Sequence, residues 1–132
     1  MLDLNYLAVG VAAVAAFAAA FVYYAILGGH YQRLSPAARE AAAARPPMWL
    51  MPVELVKHLV IAAVLAGVIA KTGIAGWAGA ATLGFALWIG FPVVLLTGSV
   101  IHEKVPWRLA VLHAGDWLSK LLIIAVIVGV WR

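Results

Sequence analysis

Four long, mostly apolar runs decide what this chain can fold into. They fall at about residues 5–27, 49–70, 77–101 and 107–131 of a 132-residue sequence. A helix needs about 20 apolar residues to cross the hydrocarbon core of a bilayer, and each run supplies them. Composition leads to the same place. Hydrophobic residues make up 67% of the chain and charged residues 11%, with a mean hydropathy of +1.07. A soluble domain carries about a quarter charged residues. A chain this short has little interior relative to its surface, so most apolar side chains must face outward. Lipid is the solvent that accepts them. The expected fold class is an all-α integral membrane protein, a single domain over residues 1–132 with four transmembrane helices in a bundle.

The ends and loops fit that frame. Trp49, Trp77, Trp107 and Trp131 stand at run ends, where an indole buries its ring and wets its N–H. Between the first two runs, "GGHYQRLSPAAREAAAARPP" predicts a short interfacial or cytoplasmic helix at about 36–45. Ser35-Pro36 supplies a cap and first turn, the alanines propagate it, and Pro46-Pro47 ends it. The first run is expected to stay in the mature protein, because "MLDLNY" carries Asp3 and no Lys or Arg where a signal peptide wants positive charge.

Charge then gives orientation. Loops one and three carry Arg33, Arg39, Arg45, Lys104 and Arg108; the opposite face has Lys71 and Arg132. Positive residues favour the cytoplasm, so both termini are expected outside it. The net charge is +4 and the isoelectric point near 9.8. These basic residues are scattered over loops and helix ends, a pattern suited to topology and anionic headgroups, so no nucleic-acid partner is expected. The sequence has no cysteine, which excludes disulfides, thiolate catalysis and iron–sulfur clusters.

Two of the runs carry charges at similar places. Run two reads "ELVKHLVIAAVLAGV" from Glu54 and run four "DWLSKLLIIAVIVGV" from Asp116. A shift of 62 (116 − 54) aligns acid with acid, His58 with Lys120, Ala63 with Ala125 and Gly67 with Gly129. The two hairpins are therefore candidates for a parallel internal repeat, with a pseudo-twofold axis along the membrane normal. Small residues at four-residue spacing predict close helix contacts: Gly76, Ala80 and Gly84 in run three, Ala63 and Gly67 in run two, Ala125 and Gly129 in run four.

Helical rise converts these positions into depth. Measured from Trp131, Lys120 lies about 16 Å down, Asp116 about 22 Å and His113 about 27 Å. Measured from Lys71, His58 lies about 20 Å down and Glu54 about 25 Å. Both acids then fall in the same half of a core about 30 Å thick. Glu54 shares a helical face with Lys57 and His58, as Asp116 does with His113 and Lys120. An isolated charge at the centre of a spanning helix costs about 2.5–3.5 kcal/mol on insertion scales. Pairing and an inward orientation offset that cost, and intramembrane charges are functional candidates by default.

The six residues Glu54, Lys57, His58, His113, Asp116 and Lys120 are the candidate ligand or proton pathway, with Tyr23, Tyr24, Thr97, Ser99 and His102 as candidate lining. The leading reading is a site that binds or passes a small ion, proton or polar solute. Four short helices enclose little volume, so a homo-oligomer, expected as a dimer, would complete a pathway. The rival reading is an accessory or structural protein whose charges dock a partner or a lipid, with Lys57 and Lys120 snorkelling to headgroups. His58 and His113 on two helices leave haem as a lesser alternative, but no other haem cue accompanies them and no cofactor is expected. Lys57 and Lys120 would repel a cation from Glu54, His58, His113 and Asp116, so no metal is expected either. No nucleophile elbow, phosphate loop or metalloprotease motif is present, which points away from an enzyme. A lipid-modifying activity would fall to His113 and Asp116.

The chain also resembles a family. "GAATLGFALWIGF" (79–91) has a Gly-rich, Trp-centred pattern, and "VPWRLAVLHAGDWLSKLLIIAVIVGVW" (105–131) pairs Asp116 with Trp117 and ends an apolar run at Trp131. The first run, "LAVGVAAVAAFAAAFVYYAIL", carries the aromatic pair Tyr23-Tyr24. On these features the sequence resembles the bacterial family of small four-span membrane proteins known as domain of unknown function 1761. The resemblance implies four spans and a bacterial inner (plasma) membrane. It implies nothing about chemistry, and the Glu54, Lys57 and His58 cluster lies outside the motifs that carry it.

Overall fold

A computed structural model describes residues 4–44 and 47–131, all of it helix and connecting turns with no strand among them. Asp3, Arg45, Pro46 and Arg132, used in the signal, orientation and helix-end expectations, lie outside the described residues. The chain is a membrane protein by the character of its helices. Tyr6–Leu34, Leu50–Thr72, Gly76–His102 and Trp107–Val130 are each long and apolar enough to cross a bilayer.

Local chemistry sets each boundary. Helix α1 (Tyr6–Leu34) starts where the Asn5 side chain accepts from the Ala8 N–H at 3.1 Å. It runs seven residues past the expected end at Leu27, because Gly28-Gly29 costs helix stability without forbidding the conformation. What stops it is Pro36, which disfavours the helical region for the residue before it. Ser35 is accordingly extended, and its hydroxyl caps the next helix, α2 (Pro36–Ala43), by accepting from the Ala38 N–H at 3.1 Å. Helix α3 (Leu50–Thr72) ends at Gly73, whose φ of 72° is the left-handed cap that glycine supplies.

The third span is not a uniform helix. It consists of α4 (Gly76–Trp88), a wide π turn (Ile89–Val93) and α5 (Val94–His102). Pro92 sits inside the wide turn. A proline lacks an N–H and its ring clashes with the carbonyl one turn back, and an enlarged turn accommodates both defects. The fourth span is α6 (Trp107–Val130).

Packing makes α6 the hub. It lies against α1, α3 and α4, and α1 also packs on α3. Small residues set the closest crossing. A Cβ placed on Gly129 would stand 2.5 Å from the Ala80 Cβ, and one on Gly84 would meet the Leu121 carbonyl oxygen at 3.1 Å. The stripes expected on spans three and four therefore meet each other. On α3 the interface is one residue round from expectation: Ala62 and Ala66 are buried, whereas Ala63 is exposed. The core of Ala12, Ala13, Ala16, Leu65, Ile69, Ile124 and their neighbours occupies the half of the bundle nearest the start of α1 and the end of α6. Around it, Val11, Val14, Val60, Val64, Phe85 and Leu95 face outward, as lipid contact requires.

This arrangement does not have the symmetry of a parallel repeat. A twofold relation would map the α1–α6 contact onto α4 and α3, and no comparable α3–α4 contact exists among the described residues. Ala63 and Ala125, equivalent in the sequence alignment, differ in the same way: one is exposed and the other buried. The fourth span is central because it alone buries two charges.

The α4–α6 crossing yields a direct test. Gly129→Val should overpack it and cost about 1–3 kcal/mol. Ala63→Val, on an exposed face, should stay within about 0.5 kcal/mol. Reversible unfolding of both variants in mixed micelles measures the difference.

Candidate functional site

One face of α1 changes character along its length. Ala12, Ala13 and Ala16 let α3 and α6 approach closely and are buried. Just beyond them, Phe17, Phe21 and Tyr24 continue the face at helical spacing with far larger side chains. Where these side chains stand, a cavity of about 670 Å³ opens between α1, α3 and α6.

Both polar triads line that cavity. Glu54, Lys57 and His58 come from α3, His113, Asp116 and Lys120 from α6, and Tyr24 from α1. Each triad also closes its own ion pair. Lys120 Nζ lies 3.0 Å from Asp116 Oδ2, with side chains only 10% and 8% exposed. The ammonium also stands 4.6 Å from the centroid of the Trp117 ring, which adds a cation–π contact. Lys57 Nζ lies 3.0 Å from Glu54 Oε1, but these side chains are 59% and 36% exposed. The first pair is sealed in the bundle and the second stands at the cavity's open end.

Tyr24 ties α1 into the α6 triad. Its hydroxyl is 2.8 Å from His113 Nδ1 and donates to Asp116 Oδ2 at 3.4 Å. A hydroxyl has one proton, so with that proton on Asp116 it is His113 Nδ1–H that donates to the Tyr24 oxygen. Histidine, phenol, carboxylate and ammonium thus form one hydrogen-bonded chain along the cavity wall. Tyr31, two turns further along the same face of α1, packs edge-on against His113 with ring centroids 5.3 Å apart.

His58 is set differently. It is 2% exposed, and its Nδ1 lies 2.7 Å from the Glu54 carbonyl oxygen one turn back. A carbonyl only accepts, so Nδ1 carries a proton, and in the neutral ring Nε2 is then the lone-pair acceptor. Nε2 is buried and has no hydrogen-bond partner among the described residues. Phe17 packs edge-on to the ring at 5.9 Å. Leaving a buried acceptor unpaired costs about 1–3 kcal/mol, so this nitrogen calls for an explanation.

Other expected lining residues lie elsewhere. Tyr23 turns its hydroxyl to the Leu112 carbonyl and packs over Gly115, where a Cβ would collide with it. It pins α1 to α6 and is not a cavity wall. Thr97 and Ser99 bond back to the Val93 and Leu95 carbonyls of their own helix. Thr97 lines a separate apolar cleft of about 260 Å³ between α5 and α6. His102 is exposed at the end of α5. These three lie on the third span, which packs on α6 and contributes no residue to the main cavity. Among the described residues no three His, Cys, Asp or Glu side chains group as metal ligands.

Sequence reasoning missed Tyr31 and the apolar walls, Phe17, Phe21 and Trp117. Tyr31 follows Tyr24 by seven residues, two helical turns, and an α1 continued past the glycine pair would have placed it on the same face.

The two ion pairs should differ sharply in worth. Lys120→Met leaves a buried carboxylate unpaired and should cost about 3–5 kcal/mol, while Asp116→Asn with Lys120→Met should recover part of that loss. Lys57→Met should cost no more than about 1 kcal/mol. Unfolding free energies of the four proteins decide it.

Residues 7–129 match the family model described as a protein of unknown function, DUF1761. No curated protein matches the chain, and no solved structure does.

Proposed function

The chain belongs to the DUF1761 family, whose description assigns no activity, and from the site we propose that it binds a small polar solute within the membrane. The observation that carries this reading is the convergence of two intramembrane triads on one cavity. Structural glue would need each triad to neutralise itself, which both do, but it would not need them to share a chamber with an unpaired imidazole nitrogen.

Binding is favoured over passage. Beyond the cavity, α1, α3 and α6 close on Ala12, Ala16, Ala62, Leu65 and Ile124, a seam of small and apolar side chains. A solute that crossed would have to part that seam. Entry is from the face that carries the α1–α2 and α5–α6 connections, where Arg33, Arg39, Lys104 and Arg108 lie. Positive residues favour the cytoplasm, which supports a cytoplasmic position for that face, with the termini outside.

The site forms within one chain, so binding does not require a subunit interface. A homodimer remains our proposal for the assembly, with α4 and α5 as the contact. Ala80 and Gly84 are the buried residues of α4, and α5 has none, which leaves that span facing outward. The sealed Asp116–Lys120 pair gives no support to the accessory reading, because a docking charge must be reachable.

Native mass spectrometry of protein released gently from detergent tests these points together. The wild-type protein should carry a small non-lipid adduct, at the mass of a dimer. His58→Phe, which removes the unpaired acceptor and leaves both ion pairs in place, should keep the fold and lose most of the adduct. A wild-type protein that carries no such adduct, and whose melting temperature no polar solute raises, would remove the binding role.

A further inference from the structure

The cavity's chemistry narrows what it can hold. Its four charged side chains among the described residues, Glu54, Lys57, Asp116 and Lys120, form two closed ion pairs. An ionic ligand would have to break one of them, and the Asp116–Lys120 pair is sealed by burial. The walls that remain are chiefly aromatic and aliphatic, with Phe17, Phe21, Trp117 and Ile61, and their other polar side chains are Tyr24, Tyr31 and His113. Within them the one buried side-chain polar atom without a partner, among the described residues, is His58 Nε2.

The direction of that atom follows from its ring. Nδ1 faces the Glu54 carbonyl of its own helix at 2.7 Å, so Nε2, across the imidazole, points away from α3. His58 lines the cavity, with Phe17 of α1 standing edge-on beside it. With the proton held on Nδ1, Nε2 can only accept. A site built to accept one hydrogen bond discriminates strongly against an analogue that cannot donate it.

We propose that the ligand is an uncharged amphiphile bearing an O–H or N–H group, of the phenol or alcohol class, which donates to His58 Nε2 while its apolar body lies on Phe17, Phe21 and Trp117. The inference rests on the binding role proposed above and deepens it from polar solute to neutral hydrogen-bond donor. Nε2 exposes almost no surface, so the ligand's donor reaches it as the side chains packed over the imidazole shift.

A matched pair of probes tests this on the full chain in lipid nanodiscs, with empty nanodiscs subtracted for partitioning. Para-butylphenol carries the donor, and para-butylanisole has the same ring and tail without it. The phenol should bind saturably and at least about tenfold tighter, a difference of about 1.4 kcal/mol. His58→Phe should abolish the preference, and His58→Gln, whose amide oxygen still accepts, should retain part of it. In wild-type protein labelled with nitrogen-15 at histidine, the phenol alone should move one bare imidazole nitrogen resonance toward its hydrogen-bonded position. That readout does not depend on any variant folding. Equal binding of the two probes, a preference that survives His58→Phe, or no saturable binding of either would overturn the inference. A copurified adduct without probe preference would sink this inference alone, whereas loss of both adduct and probe binding would sink the binding role as well.

Discussion

The Asp116–Lys120 ion pair sets the plan of the bundle. A carboxylate and an ammonium cannot face hydrocarbon, and at i and i+4 on one helix they meet at 3.0 Å without help from any other element. Their helix must still be kept from lipid over that turn. Helix α6 is therefore the one surrounded by the others, with α1 and α3 on its polar side and α4 against its glycine and alanine stripe. The third span carries no Asp, Glu, Lys or Arg between Gly76 and His102, and it takes the outermost position. The span with two buried charges thus stands at the centre and the span with none at the edge.

That ranking explains what could be read from residues alone. The four spans and the short α2 helix follow from run length and from proline and glycine chemistry. Which face of a span turns inward does not follow, because in lipid both the core face and the outer face are apolar. Ala62 and Ala66 pack while Ala63 faces out, and no hydrophobic stripe separates the two choices. The internal repeat failed for the same reason: matching Ala-x-x-x-Gly patterns report composition, and packing put one of them outside the interface. Pro92 was visible in the sequence, but its consequence, a wide turn in place of a break, depends on neighbours that the sequence does not order.

The candidate site was legible to the extent that its chemistry is local. Glu54–Lys57 and Asp116–Lys120 are spaced to pair within one helix, and they do. Contacts between helices were not legible. Nothing in the sequence joins Tyr24 to His113 or Phe17 to His58, and the choice of Tyr24 over Tyr23 as the cavity residue turns on about 100° of helical rotation. Thr97 and Ser99, polar residues in an apolar span, satisfy themselves on their own backbone, a common resolution for hydroxyls in membrane helices.

The change from alanine to phenylalanine along α1 has a consequence for how such a chamber diversifies. Phe17, Phe21 and Tyr24 line the chamber from α1, whereas the charged groups come from α3 and α6. Capacity and chemistry are thus written on different helices. A chain of this architecture can lengthen, shorten or fill its chamber by exchanging side chains on its first span while the charges that hold the bundle together stay where they are.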